Sequence, residues 1–248
     1  MMTLPVPVST PDFRAEIDAL LERRLTRFYQ TVKGADHLLT SNAIDPEYYK
    51  RHVIEIILRL RMKRVIDALT VHYFTKTDPV LAKKWAGYTE DEMLHDSLFA
   101  NDLERIGVTK EEIYSTDPLL STKLLQGYFY YGLEHEGRPL ASLCSAYLIE
   151  SLANKTQPKW ISNIERNFGD GAARGQSAHV SHDIADEHID FVWSVLSTFA
   201  NTEADRRRIR EHFVNIAVLF EAFYTEMASK FLERQENHEP IVDAIAAN

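Results

Sequence analysis

Cysteine is almost absent from this chain of 248 residues. The single cysteine, Cys144, excludes an internal disulfide and any zinc site built from several thiolates. It lies in an apolar stretch of a predicted helix, residues 143–147, where a thiol that packs in the core is the expected interpretation. A cysteine-based site is therefore not expected.

Basic charge is scarce as well, since 28 Lys and Arg stand against 37 Asp and Glu, a formal net charge of −9. Proteins that bind nucleic acids usually present a basic face, so this balance argues against that class. No window reaches about 18 uncharged apolar residues, and residues 1–7 show no basic region followed by an apolar stretch. We therefore expect a cytoplasmic protein without a signal peptide, a membrane partner or a nucleic-acid partner.

No stretch of strand length alternates between apolar and polar residues, so the sequence predicts a fold without a β-sheet. Proline follows a capping residue at Thr10-Pro11, Asp45-Pro46, Asp78-Pro79 and Asp117-Pro118, as at helix starts. These signals predict about eight helices, near 11–33, 46–74, 79–106, 118–136, 139–154, 157–168, 176–200 and 203–236. We expect one all-α domain over residues 1–248, with its core at about 46–225 and a tail that frays after 237.

What the chain does contain is a set of ionisable side chains on helix faces that should be apolar. Three predicted helices carry such exceptions: Glu92 and His95, then Glu150, then His182 and Asp186. A buried ionised group costs several kcal/mol unless it is paired or bound to a metal. Because all three exceptions offer oxygen or imidazole ligands, they indicate one shared metal centre inside a helical bundle.

The first two exceptions are weak when taken singly. Glu92 and His95 form a Glu-x-x-His pair, the device that places two ligands of a di-iron bundle on one helix face. The same spacing also occurs by chance on many helix surfaces. Glu150 lies near the end of its predicted helix, where an isolated carboxylate more often reaches solvent.

The predicted helix 176–200 holds the densest cluster. His182 and Asp186 lie about 40° apart, on the face that continues into the core stripe. His179 lies about 60° from His182, whereas His188 lies about 120° away and reaches the same centre only if the helix is distorted. The alternative is a hydrated polar face with incidental histidines. Nitrogen and carboxylate ligands without thiolate suit iron or manganese, although zinc remains an option.

At these residues the chain resembles the heme-oxygenase-like di-iron oxidases, a family of iron-containing redox enzymes. That family carries Glu and His on one core helix, Glu on another, and His-x3-Asp/Glu-x2-His on a third. Glu92 with His95, Glu150, and His182-x3-Asp186 match this order within residues 46–225. The last position holds Ile189 instead of histidine, so either His188 or His179 completes the second metal site, or that site is incomplete.

The resemblance implies a heme-oxygenase-like helical bundle with two Fe(II) ions per chain and O2 as co-substrate. It also implies a biosynthetic oxidase or oxygenase that oxygenates an amine nitrogen or cleaves a carbon–carbon bond in an amino or fatty acid. A substrate carboxylate would need a basic partner. The candidates are Arg59, Arg61, Lys63 and Arg64, although a basic helix face is usually only solvated. We expect a homodimer that acts on a small molecule.

Three other functions remain open from the sequence. A thiaminase-like or cofactor-independent enzyme would share the architecture, but the thiaminase type needs a nucleophilic cysteine and Cys144 is poorly placed. A non-catalytic helical binding protein would pair its inward carboxylates with arginine. Heme binding through His37 or His52 would leave the glutamates unexplained.

Overall fold

The computed structural model describes residues 10–185 and 188–233, except for the side chains of residues 10–12, 154 and 182–185. This part of the chain forms α-helices and no strand, as predicted. The helices are α1 (Thr10–Thr31), α2 (His37–Thr40), α3 (Pro46–Thr77), α4 (Pro79–Glu92), α5 (His95–Arg105), α6 (Lys110–Ser115), α7 (Leu120–Glu134), α8 (Leu140–Phe168), α9 (Arg174–Ala185), α10 (His188–Leu196) and α11 (Glu203–Phe231). None of these helices is both long and apolar enough to cross a lipid bilayer.

Two predicted helix starts have the expected caps, and one lies elsewhere. The Asp45 carboxylate accepts a hydrogen bond from the backbone N–H of Tyr48 at 2.7 Å, and Asp78 caps α4 in the same way. The Asp117-Pro118 start was wrong, because α7 begins at Leu120. The reason is tertiary: the N–H groups of Leu119 and Ser121 donate to carboxylates of other helices, those of Glu55 on α3 and Glu226 on α11.

The predicted count of about eight helices was too low, because several boundaries lie elsewhere. The predicted helix 79–106 is divided by Met93 and Leu94 into α4 and α5. The predicted helix 176–200 is represented by α9, α10 and a 3₁₀ turn at Ser197–Phe199. Conversely, α8 continues through Pro158, where two helices were predicted. An internal proline costs roughly 3 kcal/mol, and α8 bears that cost because it packs on α7, α9, α10 and α11. The short helices α2 and α6 were not predicted.

Two apolar clusters form the core. One contains Trp85, Tyr147 and Phe213, and the other contains Ile57, Leu103 and Phe223. Helices α3, α4–α5 and α8 each contribute residues to both clusters. Along these helices, buried polar residues lie between the part that belongs to one cluster and the part that belongs to the other. The ionisable side chains that break the apolar stripes therefore converge at this junction.

Asp102 on α5 fixes the start of α9. Its two carboxylate oxygens accept the N–H groups of Gly175 at 2.7 Å and Gln176 at 2.9 Å, and its side chain is fully buried. A negative charge at a helix N-terminus is stabilised by the unpaired N–H groups there. Gly175 also approaches α5 so closely that an added Cβ would overlap the carbonyl oxygen of Leu98. This contact holds His179 of α9 against α5.

We expect the substitution Gly175→Ala to destabilise the protein by about 1–3 kcal/mol, because α9 must move away from the α5 backbone. The matched control is Gly127→Ala on α7, where the new Cβ meets no atom within 4 Å. That exposed helical site should instead gain roughly 0.5–1 kcal/mol. Urea unfolding monitored by circular dichroism measures both changes, and equal stabilities for the two variants would contradict the close contact.

Candidate metal centre

Five buried side chains from five helices meet at the junction of the two apolar clusters. Glu92 is the last residue of α4 and His95 is the first residue of α5. Glu150 comes from α8, His179 from α9, and His188 is the first residue of α10. Each exposes 8% or less of its surface. The site is thus built from groups that bind metal well and that are costly to bury without compensation.

These side chains form two triads that share one residue. Glu92, His95 and His179 form the first triad, and Glu92, Glu150 and His188 form the second. Within each triad, one oxygen or nitrogen atom per residue lies within 4.8 Å of the others. Glu92 Oε1 lies 3.3 Å from His95 Nδ1 and 3.7 Å from His188 Nδ1, and Glu150 Oε1 lies 3.9 Å from His188 Nδ1.

These separations fit a metal-ligand set. Nitrogen and carboxylate ligands lie about 2.0–2.2 Å from a bound ion, so two ligands of one ion are about 3 to 4.2 Å apart. The three measured distances fall in this range, and the last two are too long for hydrogen bonds. Glu92 is common to both triads, so its carboxylate would contact an ion held by either of them.

Departures from one regular helix decide which side chains reach the centre. Within one continuous helix, His179 and His188 would be about 180° apart and could not face the same point. Here they belong to α9 and α10, and both belong to triads that contain Glu92. Likewise, the interpretation of Glu92 and His95 as neighbours on one helix was wrong, because α4 ends at the first and α5 begins at the second.

The structure brings together Glu92, His95, Glu150, His179 and His188, all of which the sequence marks as candidates. His179 and His188 were considered as rivals for one position, but they lie in different triads. The side chain of His182 and the whole of Asp186 lie outside the described residues, so both stay predictions as ligands.

Lys63 and Asp67 on α3 adjoin the triads, a role that the sequence did not indicate. The Lys63 ammonium lies 2.6 Å from Asp67 Oδ2 and 3.6 Å from Glu92 Oε2. It also lies 4.8 Å from the ring centroid of Tyr88, whose hydroxyl donates to Glu150 Oε1 at 3.1 Å. The only sequence signal was the spacing of four residues between Lys63 and Asp67, which is common on solvated helices.

These contacts set the protonation of the site. Burial would raise the pKa of Glu92, but the Lys63 ammonium and then His95 outweigh burial and lower this pKa to about 2. Burial, together with the carboxylates of Glu92 and Glu150, raises the pKa of Tyr88 well above its usual value. Burial would lower the pKa of Lys63, yet the nearby carboxylates raise it. At neutral pH, Glu92 is therefore an anion, Tyr88 a neutral donor and Lys63 a cation.

Carboxylates and imidazoles predominate among the described side chains at the centre. Lys63 contacts the carboxylates of both Asp67 and Glu92, and Arg64 pairs with a further carboxylate, Asp96. Carboxylate and imidazole ligands grouped in an apolar interior favour the binding of divalent cations.

Nearby aromatic and histidine side chains divide between the centre and the packed core. Phe99 lies against the His179 ring, with ring centroids 5.4 Å apart, so it covers the first triad. Tyr147 and Trp193 instead pack against each other in the core at a tilted angle, with ring centroids 5.1 Å apart. His37 Nε2 accepts the backbone N–H of Asp45 at 3.0 Å, which gives this histidine a structural role before α3.

We expect Glu92→Ala to abolish metal binding, because it removes the carboxylate that both triads share. His188→Ala should leave the first triad intact and retain about half of the bound metal. Metal per chain after anaerobic loading with Fe(II) and desalting measures the difference. Glu90→Ala, an exposed position on the same helix, is the matched control and should keep the wild-type content. Equal iron in the Glu92 and Glu90 variants would contradict this assignment.

Comparisons with known proteins show the family and the fold. The family profile described as iron-containing redox enzyme matches residues 81–219, which is more than half of the chain and includes every residue of both triads. No curated protein matches the sequence significantly.

Three solved structures superpose well on this chain. The first is a domain of unknown function with a heme oxygenase-like fold from Shewanella denitrificans, with a TM-score of 0.75 and 17% identity over 94% of this chain and 97% of that one. The second is a TenA homologue from Pyrococcus furiosus, with a TM-score of 0.65 and 16% identity over 87% of this chain and 99% of that one. The third is a CADD-like protein of unknown function from Nostoc punctiforme, with a TM-score of 0.61 and 14% identity over 88% of this chain and 99% of that one. These likenesses show a heme oxygenase-like fold, and by the profile match the chain belongs to the family of iron-containing redox enzymes.

Proposed function

We propose that this protein is a non-heme di-iron oxidase or oxygenase that uses O2 to oxidise a small molecule. The observation that carries the proposal is the shared carboxylate of Glu92, which belongs to two buried triads at once. Membership of an iron-containing redox family supports iron as the metal. The ligand set of imidazole and carboxylate, with no thiolate among the described candidates, suits redox iron that keeps open positions.

The two triads divide the ligands between two irons. His95 and His179 would hold one ion, Glu150 and His188 would hold the other, and Glu92 would contact both. When bound, ferrous iron supplies the electrons that reduce dioxygen. The Tyr88 hydroxyl keeps its proton and orients the Glu150 carboxylate through their hydrogen bond. The Lys63 ammonium holds Glu92 in the ionised form that a ligand requires.

A cavity of about 240 Å³ gives a substrate access to this centre. His179, Lys63 and Asp67 form part of its wall, together with Phe99 and other mainly apolar side chains. Sites for drug-sized ligands measure roughly 300–1,000 Å³. The smaller volume here suits a compact substrate, and the apolar wall excludes water from the reacting groups.

The thiaminase-like alternative lacks a nucleophile. Cys144 is buried, its thiol lies 3.9 Å from the carbonyl oxygen of Ile209, and burial raises the pKa of this thiol well above its usual value. A thiolate is the reactive form, so Cys144 has the character of a packing residue. The likeness to a TenA homologue concerns the fold alone.

A non-catalytic binding protein with salt-bridged inward carboxylates would need more cations at the centre. Among the lysines and arginines that the structure describes, Lys63 is the one that contacts Glu92, and its shorter contact is with Asp67. We therefore favour metal ions, rather than additional side-chain cations, as the groups that compensate these carboxylates.

The family spacing His-x3-Asp/Glu leaves two assignments for a further carboxylate ligand. Counted from His182 it gives Asp186, and counted from His179 it gives Asp183. Because His179 belongs to the first triad, Asp183 becomes a candidate beside the originally predicted pair of His182 and Asp186. Neither carboxylate is among the described side chains, so substitution must decide.

We expect either Asp183→Asn or Asp186→Asn to lose about one iron per chain. The substitution that removes a ligand would affect one ion only, because the carboxylate that both triads share, that of Glu92, is unchanged. The other variant should keep the wild-type content and so serves as its control. Iron counting after anaerobic loading makes the measurement, and His182→Ala tests the histidine of the originally predicted pair in the same way. If both Asp variants keep the wild-type iron content, neither of these two carboxylates is a metal ligand.

The proposal as a whole is tested by reconstituting the apo-protein anaerobically with about two Fe(II) per chain and then mixing it with O2. We expect tight iron uptake, a transient visible absorption and consumption of O2 in proportion to the iron. Glu150→Ala, which like His188→Ala leaves the first triad intact, should lose about half of the iron uptake and most of the O2 consumption. Iron uptake no higher than that of the Glu92→Ala variant would refute a di-iron function.

A further inference from the structure

The cavity wall contains one charge that the described residues do not balance. Lys63 is paired with Asp67 at 2.6 Å, and Arg24 faces Glu221 at 3.8 Å. Arg59 forms no ion pair with a carboxylate of the described part of the chain, and its Nη1 atom is buried without a hydrogen-bond partner there. The cavity therefore has a surplus of one positive charge, located at Arg59.

Aromatic packing holds the Arg59 guanidinium in place without satisfying its donors. It lies 4.4 Å from the ring centroid of Phe223 and 5.8 Å from that of Phe220, both on α11. Glu55, one turn earlier on α3, is already engaged by Arg51 at 2.7 Å. Burial lowers the pKa of Arg59, and the opposing influence of Tyr224 and Glu55 does not restore it. An arginine remains charged under these conditions and presents a fork of donors that matches a carboxylate.

The other basic residues of this segment are already committed. Arg61 is exposed and lies over the Tyr114 ring at 4.8 Å, and Arg64 pairs with Asp96. Lys63 contacts Asp67 and Glu92. Of the four residues that the sequence offered for a substrate carboxylate, Arg59 is the one that faces the cavity without an opposite charge.

Two more buried ring nitrogens lie at the same end of the cavity, one of them the indole N–H donor of Trp160. His52 and Trp160 line it beside Arg59, with their rings 5.1 Å apart. His52 Nδ1 and Trp160 Nε1 are both buried without a hydrogen-bond partner among the described residues. Burial and then the Arg59 cation lower the pKa of His52 well below its usual value, so its ring is neutral. A buried donor without an acceptor costs about 1–3 kcal/mol, which a bound anion would remove.

Helix α3 connects this end of the cavity to the metal centre. Residues His52, Arg59, Lys63 and Asp67 line the same cavity at steps that keep them on one helix face. Arg59 lies one turn, or about 6 Å along the helix axis, from Lys63, whose ammonium is 3.6 Å from Glu92. A molecule anchored at Arg59 therefore extends along an apolar wall towards the candidate ligands.

We propose that the substrate is a small carboxylate with an apolar body, and that Arg59, assisted by Trp160 and His52, binds its carboxylate. The inference rests on the proposed function for the reaction at the metal centre, but the anion site is defined by its own residues. A simple amine bound at this end of the cavity would place its ammonium against the Arg59 cation.

The test uses straight-chain probes on the full-length protein, freed of metal by chelation so that a carboxylate cannot bind iron. Isothermal titration calorimetry with octanoate, 1-octanol and octylamine compares one chain length with three head groups. We expect octanoate to bind most tightly, and Arg59→Gln to weaken it at least about tenfold while changing octanol less than about twofold. Arg61→Gln, the same substitution two residues later on the exposed face, is the matched control and should bind octanoate like the wild type.

Two further variants keep the test decisive if Arg59→Gln does not fold. Arg59→Lys keeps the charge but loses the planar fork and should weaken octanoate less than the glutamine variant does. Trp160→Phe keeps the ring but removes the indole donor, and we expect it to weaken octanoate about threefold to tenfold. Circular dichroism confirms that each variant is folded.

The outcomes separate this inference from the proposed function. Octylamine binding as tight as that of octanoate, or wild-type octanoate affinity in the folded Arg59 and Trp160 variants, overturns the carboxylate assignment. Iron uptake without Arg59-dependent octanoate binding does the same while leaving the di-iron proposal intact. Octanoate binding that depends on Arg59, without iron uptake, supports the anion site and refutes the di-iron proposal.

Discussion

The rest of this structure depends on one buried carboxylate, that of Glu92. It ends α4 at the junction of two apolar clusters and contributes to both candidate triads. An anion in such surroundings is stable only with compensating charge, which Lys63 supplies in part. Lys63 also pairs with Asp67, and the carboxylate and imidazole side chains around Glu92 make a divalent metal ion the natural complement. The other four residues of the triads come from four further helices.

Departures from regular helix geometry place the candidate ligands around one centre. A straight helix presents ligands only at steps of three or four residues, so it cannot turn both His179 and His188 towards one point. Ending α4 at Glu92 and beginning α5 at His95 has the same effect on the other side of the site. Asp102 then fixes the start of α9 against α5, and so keeps His95 and His179 together. Local departures from helical order are thus what assemble the centre.

The cavity extends the same electrostatic reasoning from the metal centre to the substrate. Most of its wall is apolar, and its charged residues are paired except at Arg59. Arg59 at one end of the cavity, and Lys63 and Asp67 beside the candidate metal ligands, lie on one face of α3. This polarity would orient a carboxylate substrate with its head away from the carboxylate ligands and its body towards them. Under this proposal, neighbouring turns of a single helix would set both substrate orientation and metal retention.

Sequence alone determined the features that depend on local physics. Capping residues, proline positions and the lack of period-two alternation gave an all-α fold, and polar residues in apolar stripes marked Glu92, His95 and Glu150. Tertiary structure decided the rest, since helical angles hold only within one unbroken helix. The break at residues 93–94, the continuation of α8 through Pro158, and the membership of both His179 and His188 in triads with Glu92 follow from packing between helices. The place of Lys63 and the choice of Arg59 among four basic residues were likewise decided by partners distant in sequence, which no spacing along α3 encodes.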